Sequence, residues 1–422
     1  MKKAKAFLFR RKYFFIILTF LILYSYIVVG KCKPWFAFKT SYEFHSLDFS
    51  LGFGSFIWPG QLYQWICGAP DSKTLTAYHI VLVLLFFIAL AAFLDRLMNI
   101  VEKKDRPVAL VLTFLFLTGP FTFSVLIGEM GFLEVYWIYM GALFFLLLAY
   151  KSLNILAAPL CVLALMLNYA AIICYVPFFC IMLLYKYVTE TSKSAKRMLM
   201  ASFIICVAVS IPSFIYLVLY TQKNMFYSFE EFNSILKGRG VKEFSYVDIL
   251  FYGREKEAFD DNFYETLVNS DMYTQGENLT VVQELFNFIE LRFTYVLYSL
   301  WMRNPLRVIP PFIAILPVVV LIFRFCLSEL KNKKNTPLRR FVFFCMPALF
   351  SVTIFVSLPV SHDTFKWIDF AFVPLFSSFM YVMYREPEKV FAFVRKAVSP
   401  FSAPQIAMYC VMYSFSVFSV YF

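Results

Sequence analysis

Residues 361–390 read SHDTFKWIDFAFVPLFSSFMYVMYREPEKV, and they hold in miniature the pattern that recurs along the chain. A polar start carries His362, Asp363, Lys366 and Asp369. An apolar run over 368–384 follows, and charge returns at Arg385, Glu386, Glu388 and Lys389. A run of that length suits a helix crossing a hydrocarbon core about 30 Å thick. The segment ahead of it, 341–360, is apolar as well, so SHDTFKWIDF joins two such runs. Two readings of the join stay open. It is a turn between membrane helices, or it is a reactive site at the membrane edge.

The 422 residues are 61% hydrophobic and 16% charged, with a mean hydropathy of +0.70. A soluble domain is about a quarter charged, so this composition places the chain in a membrane. Backbone in lipid must satisfy its own hydrogen bonds, which leaves helices or closed barrels. The alternation of an outer-membrane barrel is absent, and the expected fold is all-α and polytopic. The spans predicted are 13–30, 77–95, 108–127, 134–150, 153–166, 168–186, 199–220, 308–328, 341–360, 368–384 and 404–421. The start, MKKAKAFLFRRK, resembles a signal peptide, but the apolar run behind it is too long and lacks a clean cleavage site, so a retained first helix is expected. Pro120 and Pro212 interrupt two spans.

With the N-terminus inside, 25 of the 39 Lys and Arg fall on the cytoplasmic side: six in 1–12, four in 95–107, Lys151, four in 186–198, six in 324–340 and four in 385–396. Only seven of the 27 acids join them: Asp95, Glu102, Asp105, Glu190, Glu329, Glu386 and Glu388. That is the positive-inside bias, so the net charge of +12 reports orientation and calls for no nucleic-acid partner. Three regions follow: an N-terminal transmembrane region 1–220, an external subdomain with an amphipathic helix over 221–307, and a C-terminal transmembrane region 308–422. The first external loop, 31–76, is rich in aromatics and glycine and suits a structure lying in the interface. Most cysteines sit singly in predicted helices, where Cys acts as a small hydrophobe. Only Cys32 and Cys67 are external, and a disulfide between them is open.

Candidate chemistry lies on the external side. Asp48, with His45 three residues earlier, precedes Gly52–Ser55 and the Trp58-Pro59-Gly60 turn. A carboxylate in such an aromatic pocket can act as a general base, and a loop carboxylate is the plain alternative. Asp363 and Lys366 stand where a helix re-enters the membrane, as a cap and an anchor or as a functional pair. Glu129 lies in the turn GEMGFLE, 128–134, and Arg292, Arg303 and Arg307 form an outer cationic set suited to phosphate or to lipid headgroups. No phosphate loop, nucleophile elbow or HExxH motif is present. His and Asp residues make a divalent metal conceivable, but their spacing is not diagnostic and none is expected.

Taken together these features resemble the GT-C class of membrane glycosyltransferases. Within it, the chain resembles bacterial polytopic proteins whose first loop carries D-x-K-x-G-F-x-S-R-x-x-x-G and whose late loop carries D-x-G-R-W. Asp48, Gly52, Phe53, Ser55 and Gly60 match the first pattern, with Ser50 and Phe56 in place of its basic residues. Asp363 and Trp367 match the second, with Phe365 for its glycine and Lys366 for its arginine. GEMG, 128–131, stands where the group tends to have G-R-L-D. The resemblance implies a bacterial cytoplasmic membrane protein that uses a polyprenyl-phosphate-linked sugar at the outer face, with a glycan or lipid-linked acceptor. Asp48 would then be the general base, supported by His45 or His362. Lys366 with Arg303 or Arg307 would hold phosphate, and Asp363 would orient Lys366 or the acceptor. A flippase or polymerase of lipid-linked oligosaccharide and a non-catalytic scaffold are the alternatives.

Overall fold

The computed structural model describes residues 11–32, 66, 72–120, 157–167, 174–224, 309–357 and 364–421. Among them the elements are α1 (Lys12–Cys32), α2 (Ser72–Ile100), a 3₁₀ turn (Lys103–Asp105), α3 (Arg106–Thr118), α4 (Ala157–Leu167), α5 (Val176–Thr189), α6 (Lys193–Asn224), α7 (Ile309–Lys331), α8 (Pro337–Ser357), α9 (Thr364–Arg385), α10 (Pro387–Val398) and α11 (Ala403–Tyr421). No strand occurs among the described residues. Four stretches are long and apolar enough to cross a membrane: Val83–Ile100, Lys193–Pro212, Pro310–Lys331 and Pro337–Phe355. The protein is helical and membrane-embedded. The expected span 134–150, the amphipathic piece 282–302 and nearly all of the external subdomain lie outside the described residues.

Two local expectations change. α6 runs straight through Pro212, so that proline does not end its span. The lost hydrogen bond is tolerable because neighbouring helices and local adjustments re-satisfy the backbone in a membrane bundle. Pro317, Pro347 and Pro374 likewise lie inside helices. α3, by contrast, ends at Thr118, ahead of Gly119 and Pro120. The second change is α10. Its sequence PEKVFAFVRKAV reads as a basic connector, yet it forms an amphipathic helix that buries Val390, Phe391 and Val394.

α9 is the axis of the bundle. Every residue from Ile368 to Met383 is buried, which is what a helix apolar on all sides requires. It packs on α8, α5 and α10. Phe376 meets Phe116 of α3, and Tyr384 meets Phe93 of α2. Between lipid-exposed helices there is no hydrophobic driving force, so close packing and polar contacts must hold such a bundle. Phe325 of α7 shows how the packing is keyed. Its ring meets Phe343 of α8, Phe379 of α9 and Phe393 of α10 edge to face, at centroid distances of 5.8, 5.6 and 5.3 Å.

Removing that ring leaves a cavity at a four-helix junction. Phe325→Ala is expected to cost about 3–5 kcal/mol. Phe355→Ala, where the ring is 79% exposed on α8, should change stability by less than about 0.5 kcal/mol. Thermal unfolding of the two purified variants in one detergent checks the contrast.

Candidate functional site

Most residues singled out by the sequence fall outside the described part of the chain. His45 and Asp48 lie in 33–65, Glu129 in 121–156, Arg303 and Arg307 in 225–308, and His362 and Asp363 in 358–363. Lys366 is placed as the third residue of α9, without a description of its side chain. The union of these groups in one cleft is therefore carried forward as a proposal. Cys67 also lies outside the described residues.

One end of the bundle is held by ion pairs. Arg339, in the first turn of α8, forks onto Glu386 with Nη1 to Oε1 and Nη2 to Oε2 both at 2.6 Å. The same guanidinium reaches Glu329 in the last turn of α7 at 2.9 Å. Lys389 of α10 binds Glu329 at 2.5 Å, and the Tyr185 hydroxyl of α5 donates to Glu386 at 2.9 Å. The Arg339 guanidinium also lies over the rings of Tyr185 and Phe343. Such a planar, bidentate cation is suited to holding two carboxylates at once.

Further pairs extend this face. Arg11 binds the fully buried Asp95 of α2 at 2.9 Å, and Asp95 also accepts the Phe14 N–H at the start of α1. Arg395 of α10 pairs with Asp105, and Arg385 donates to the Thr189 side chain. Glu190 accepts the N–H groups of Thr191 and Ser192 ahead of α6. The seven acids grouped together by the topology thus include five with a cationic partner, the exposed Glu102–Lys104 pair among them. These contacts bring the start of α1, the ends of α2, α5, α7 and α9, the start of α8 and α10 to one end of the bundle.

A second polar set lies inside, nearer the other end. Asp369, the sixth residue of α9, has no solvent exposure. Two phenols, Tyr175 just ahead of α5 and Tyr413 of α11, lie in the interior as well. Both rings are fully buried. The Tyr413 ring lies against the Gly119 backbone so closely that a Cβ there would overlap it. Beside it the Thr118 and Ser414 hydroxyls share a 2.8 Å hydrogen bond, and Tyr24 of α1 donates to the Thr118 carbonyl at 3.0 Å. A signal for Asp369 was present along the chain: it falls inside the predicted span 368–384, and acids within membrane helices are rare and face functional interiors. Its three ionisable neighbours in sequence made it read as part of the turn.

Three thiols also meet. Cys206 of α6 comes near Cys161 of α4 and Cys180 of α5, the two helices on which α6 packs. Read along the chain these residues stood singly, and helix packing gathers them. Among the described residues no group of three His, Cys, Asp or Glu is arranged to hold a metal ion.

The clamp gives the protein an acid limit. Burial works to raise the Glu386 carboxyl, but the hydrogen bonds and charge of Arg339, with the Tyr185 hydroxyl, outweigh it and hold the group below its ordinary 4.5. A depressed acid contributes stability that is present above pH 4.5 and is lost as the pH falls through the folded-state value. Glu386→Gln should flatten the fall in melting temperature below pH 4.5 while lowering it at neutral pH. Arg339→Ala leaves Glu386 without its cation and Glu329 with Lys389 alone, and its expected cost is about 3 kcal/mol, the low end for a broken buried pair because Glu386 is partly open. Melting curves across pH in detergent measure both effects. No family model matches the chain, and no curated protein and no solved structure matches it either.

Proposed function

We propose that the protein transfers a sugar from a polyprenyl-phosphate donor to a glycan or lipid-linked acceptor at the outer face of a bacterial cytoplasmic membrane. The observation that carries this reading is the position of the second motif. Phe365, Lys366 and Trp367 form the first turn of α9, the helix that the rest of the bundle encloses. Groups on a rigid, enclosed element hold a reacting geometry better than groups on a free loop. The basic helix ends at the ion-paired face belong inside by the positive-inside bias. The first turn of α9 then faces outward, on the side expected for Asp48.

In this reaction the acceptor oxygen attacks the anomeric carbon as the bond from that carbon to the phosphate oxygen breaks. Asp48 takes the acceptor's proton as general base. The departing polyprenyl phosphate gains negative charge, and Lys366 with Arg303 or Arg307 meets that charge as it develops. The partial positive charge of the α9 N-terminus adds to theirs. Attack opposite the leaving group inverts the anomeric centre. Lys366 acts as a point charge and lacks the fork of an arginine.

A second reading, movement of finished lipid-linked oligosaccharide, is favoured by one observation, the buried polar set around Asp369. The two separate in cells. A deletion strain complemented with Asp48→Asn should accumulate a lipid-phosphate monosaccharide and make a glycan lacking one sugar, as read by mass spectrometry. Lys366→Ala should lower transfer about 10²-fold or more, as for loss of one charge stabiliser. Lys366→Arg should retain it. Accumulation of a complete lipid-linked repeat instead would point to movement or polymerisation, and normal glycan from Asp48→Asn would remove Asp48 from the chemistry.

A further inference from the structure

α7 carries a cation where a membrane span is ordinarily apolar. Arg324 lies about 10 Å along the axis before the helix ends at Lys331. It also stands about 7.5 Å deeper than Glu329, which belongs to the ion-paired layer. The positive-inside bias accounts for cations in the connections between helices, whereas Arg324 falls within the predicted span 308–328. It has neither a hydrogen bond nor an ion pair among the described residues.

Its direction decides what it meets. The buried residues of α7, from Ile315 to Glu329, turn toward the helices it packs on, α8, α10 and α11. The exposed positions Ile313, Leu316, Val320, Arg324, Leu327 and Lys331 recur every three or four residues and form one stripe on the opposite side. On a helix that spans a membrane, that stripe faces lipid. Lys331, like Arg324, has no partner among the described residues. Between them Ser328 turns its hydroxyl back onto the Phe325 carbonyl at 2.7 Å. The acid of this helix, Glu329, is 3% exposed and already held by Arg339 and Lys389. Two positive charges therefore face lipid, with no carboxylate on that side of α7.

Long cationic side chains lay their apolar stems along the helix and carry the charge to the interface. Arg324 reaches outward from its depth and Lys331 can reach back, so the two heads meet a group lying between them. A guanidinium holds a phosphate bidentately, and an ammonium adds a point charge. From Arg324 the stripe continues inward to Ile313, about 16 Å, which matches one leaflet's half of a hydrocarbon core about 30 Å thick. A soluble phosphate has no use for that length of apolar surface, and an acyl chain does. A zwitterionic headgroup brings its own cation to the pair. An anionic one does not, and charge selects it.

We propose that the exposed face of α7 is a binding site for an anionic phospholipid, with the phosphate between Arg324 and Lys331 and an acyl chain along Val320, Leu316 and Ile313. The site belongs to the ion-paired end of the bundle, away from the first turn of α9, and it does not depend on the sugar-transfer reading.

Native mass spectrometry of the delipidated full-length protein, titrated with lipid in detergent, tests this. With phosphatidylglycerol the first lipid should bind more tightly than those that follow, and with phosphatidylcholine no such first step should appear. One cation near an anionic headgroup is worth about fivefold in affinity. Arg324→Gln and Lys331→Gln should each weaken the first step by roughly that factor, and the double variant should erase its lead. Both positions face lipid, so the packed side of α7 stays intact. Arg197→Gln removes an exposed cation near the start of α6 and should leave the first step unchanged. Inorganic phosphate should not displace the lipid. Equal binding of the two lipids overturns the proposal, and so does a first step that survives the double variant. A loss as large in Arg197→Gln would show only a diffuse basic rim. Displacement by inorganic phosphate would make this a site for a soluble anion, and a stripe that takes up no lipid would be covered by protein.

Discussion

The contact on which the bundle depends is the guanidinium of Arg339 held between Glu386 and Glu329. It ties four elements at once: the end of α7, the start of α8, the α9–α10 junction and, through Tyr185, the end of α5. In lipid the hydrophobic effect cannot choose how apolar helices line up, because the tails are as apolar as the side chains. Charge can. A carboxylate such as Glu329, 3% exposed, tolerates few positions, since moving away from its cations strands it. The same reasoning covers Asp95 with Arg11 and Asp105 with Arg395. These pairs fix how the helix ends line up, and they engage Glu329, Glu386, Asp95 and Asp105, half of the described acidic residues.

The two ends of the bundle therefore differ in kind. One is pinned by charge and has its hydrogen bonds made within the protein. The other receives the polar start of α9, and it holds Asp369 a turn and a half inside the helix. If binding or chemistry needs a group with latitude to change its state, the pinned end cannot supply it. Arg339 and its partners are occupied with structure. Asp369 lies fully buried at that end, and Lys366 stands ahead of it on the same helix.

Much of this was legible in the chain itself. The spans 13–30, 77–95, 199–220, 368–384 and 404–421 fall inside helices, and so does 309–328 of the span 308–328, because runs of apolar residues in lipid have nowhere else to put their backbone groups. Charge bias also grouped the segments that the ion pairs join. Burial was not legible. Nothing along the sequence marks α9 as the enclosed helix, since α7 and α8 are as apolar and lie partly exposed. α10 hid as a connector, because a short amphipathic helix carries its signal in three inward residues among basic ones. Asp369 hid among its ionisable neighbours, and the meeting of Cys161, Cys180 and Cys206 depends wholly on how α4, α5 and α6 pack. Asp48, His362 and Asp363 stood out by their place in external segments, Asp48 and Asp363 also by resemblance, and their mutual geometry lies outside the described residues.

The central claim is that the ion-paired helix ends lie on the cytoplasmic side and the start of α9 lies on the other. Single added cysteines test it most directly, in a background with Cys32 and Cys67 replaced by serine. Lys333→Cys, between α7 and α8, should react with a membrane-impermeant maleimide only after the cells are opened. Ser361→Cys, just ahead of α9, should react in intact cells. Labelling of both positions from the same side, or of Lys333→Cys alone in intact cells, would contradict the account.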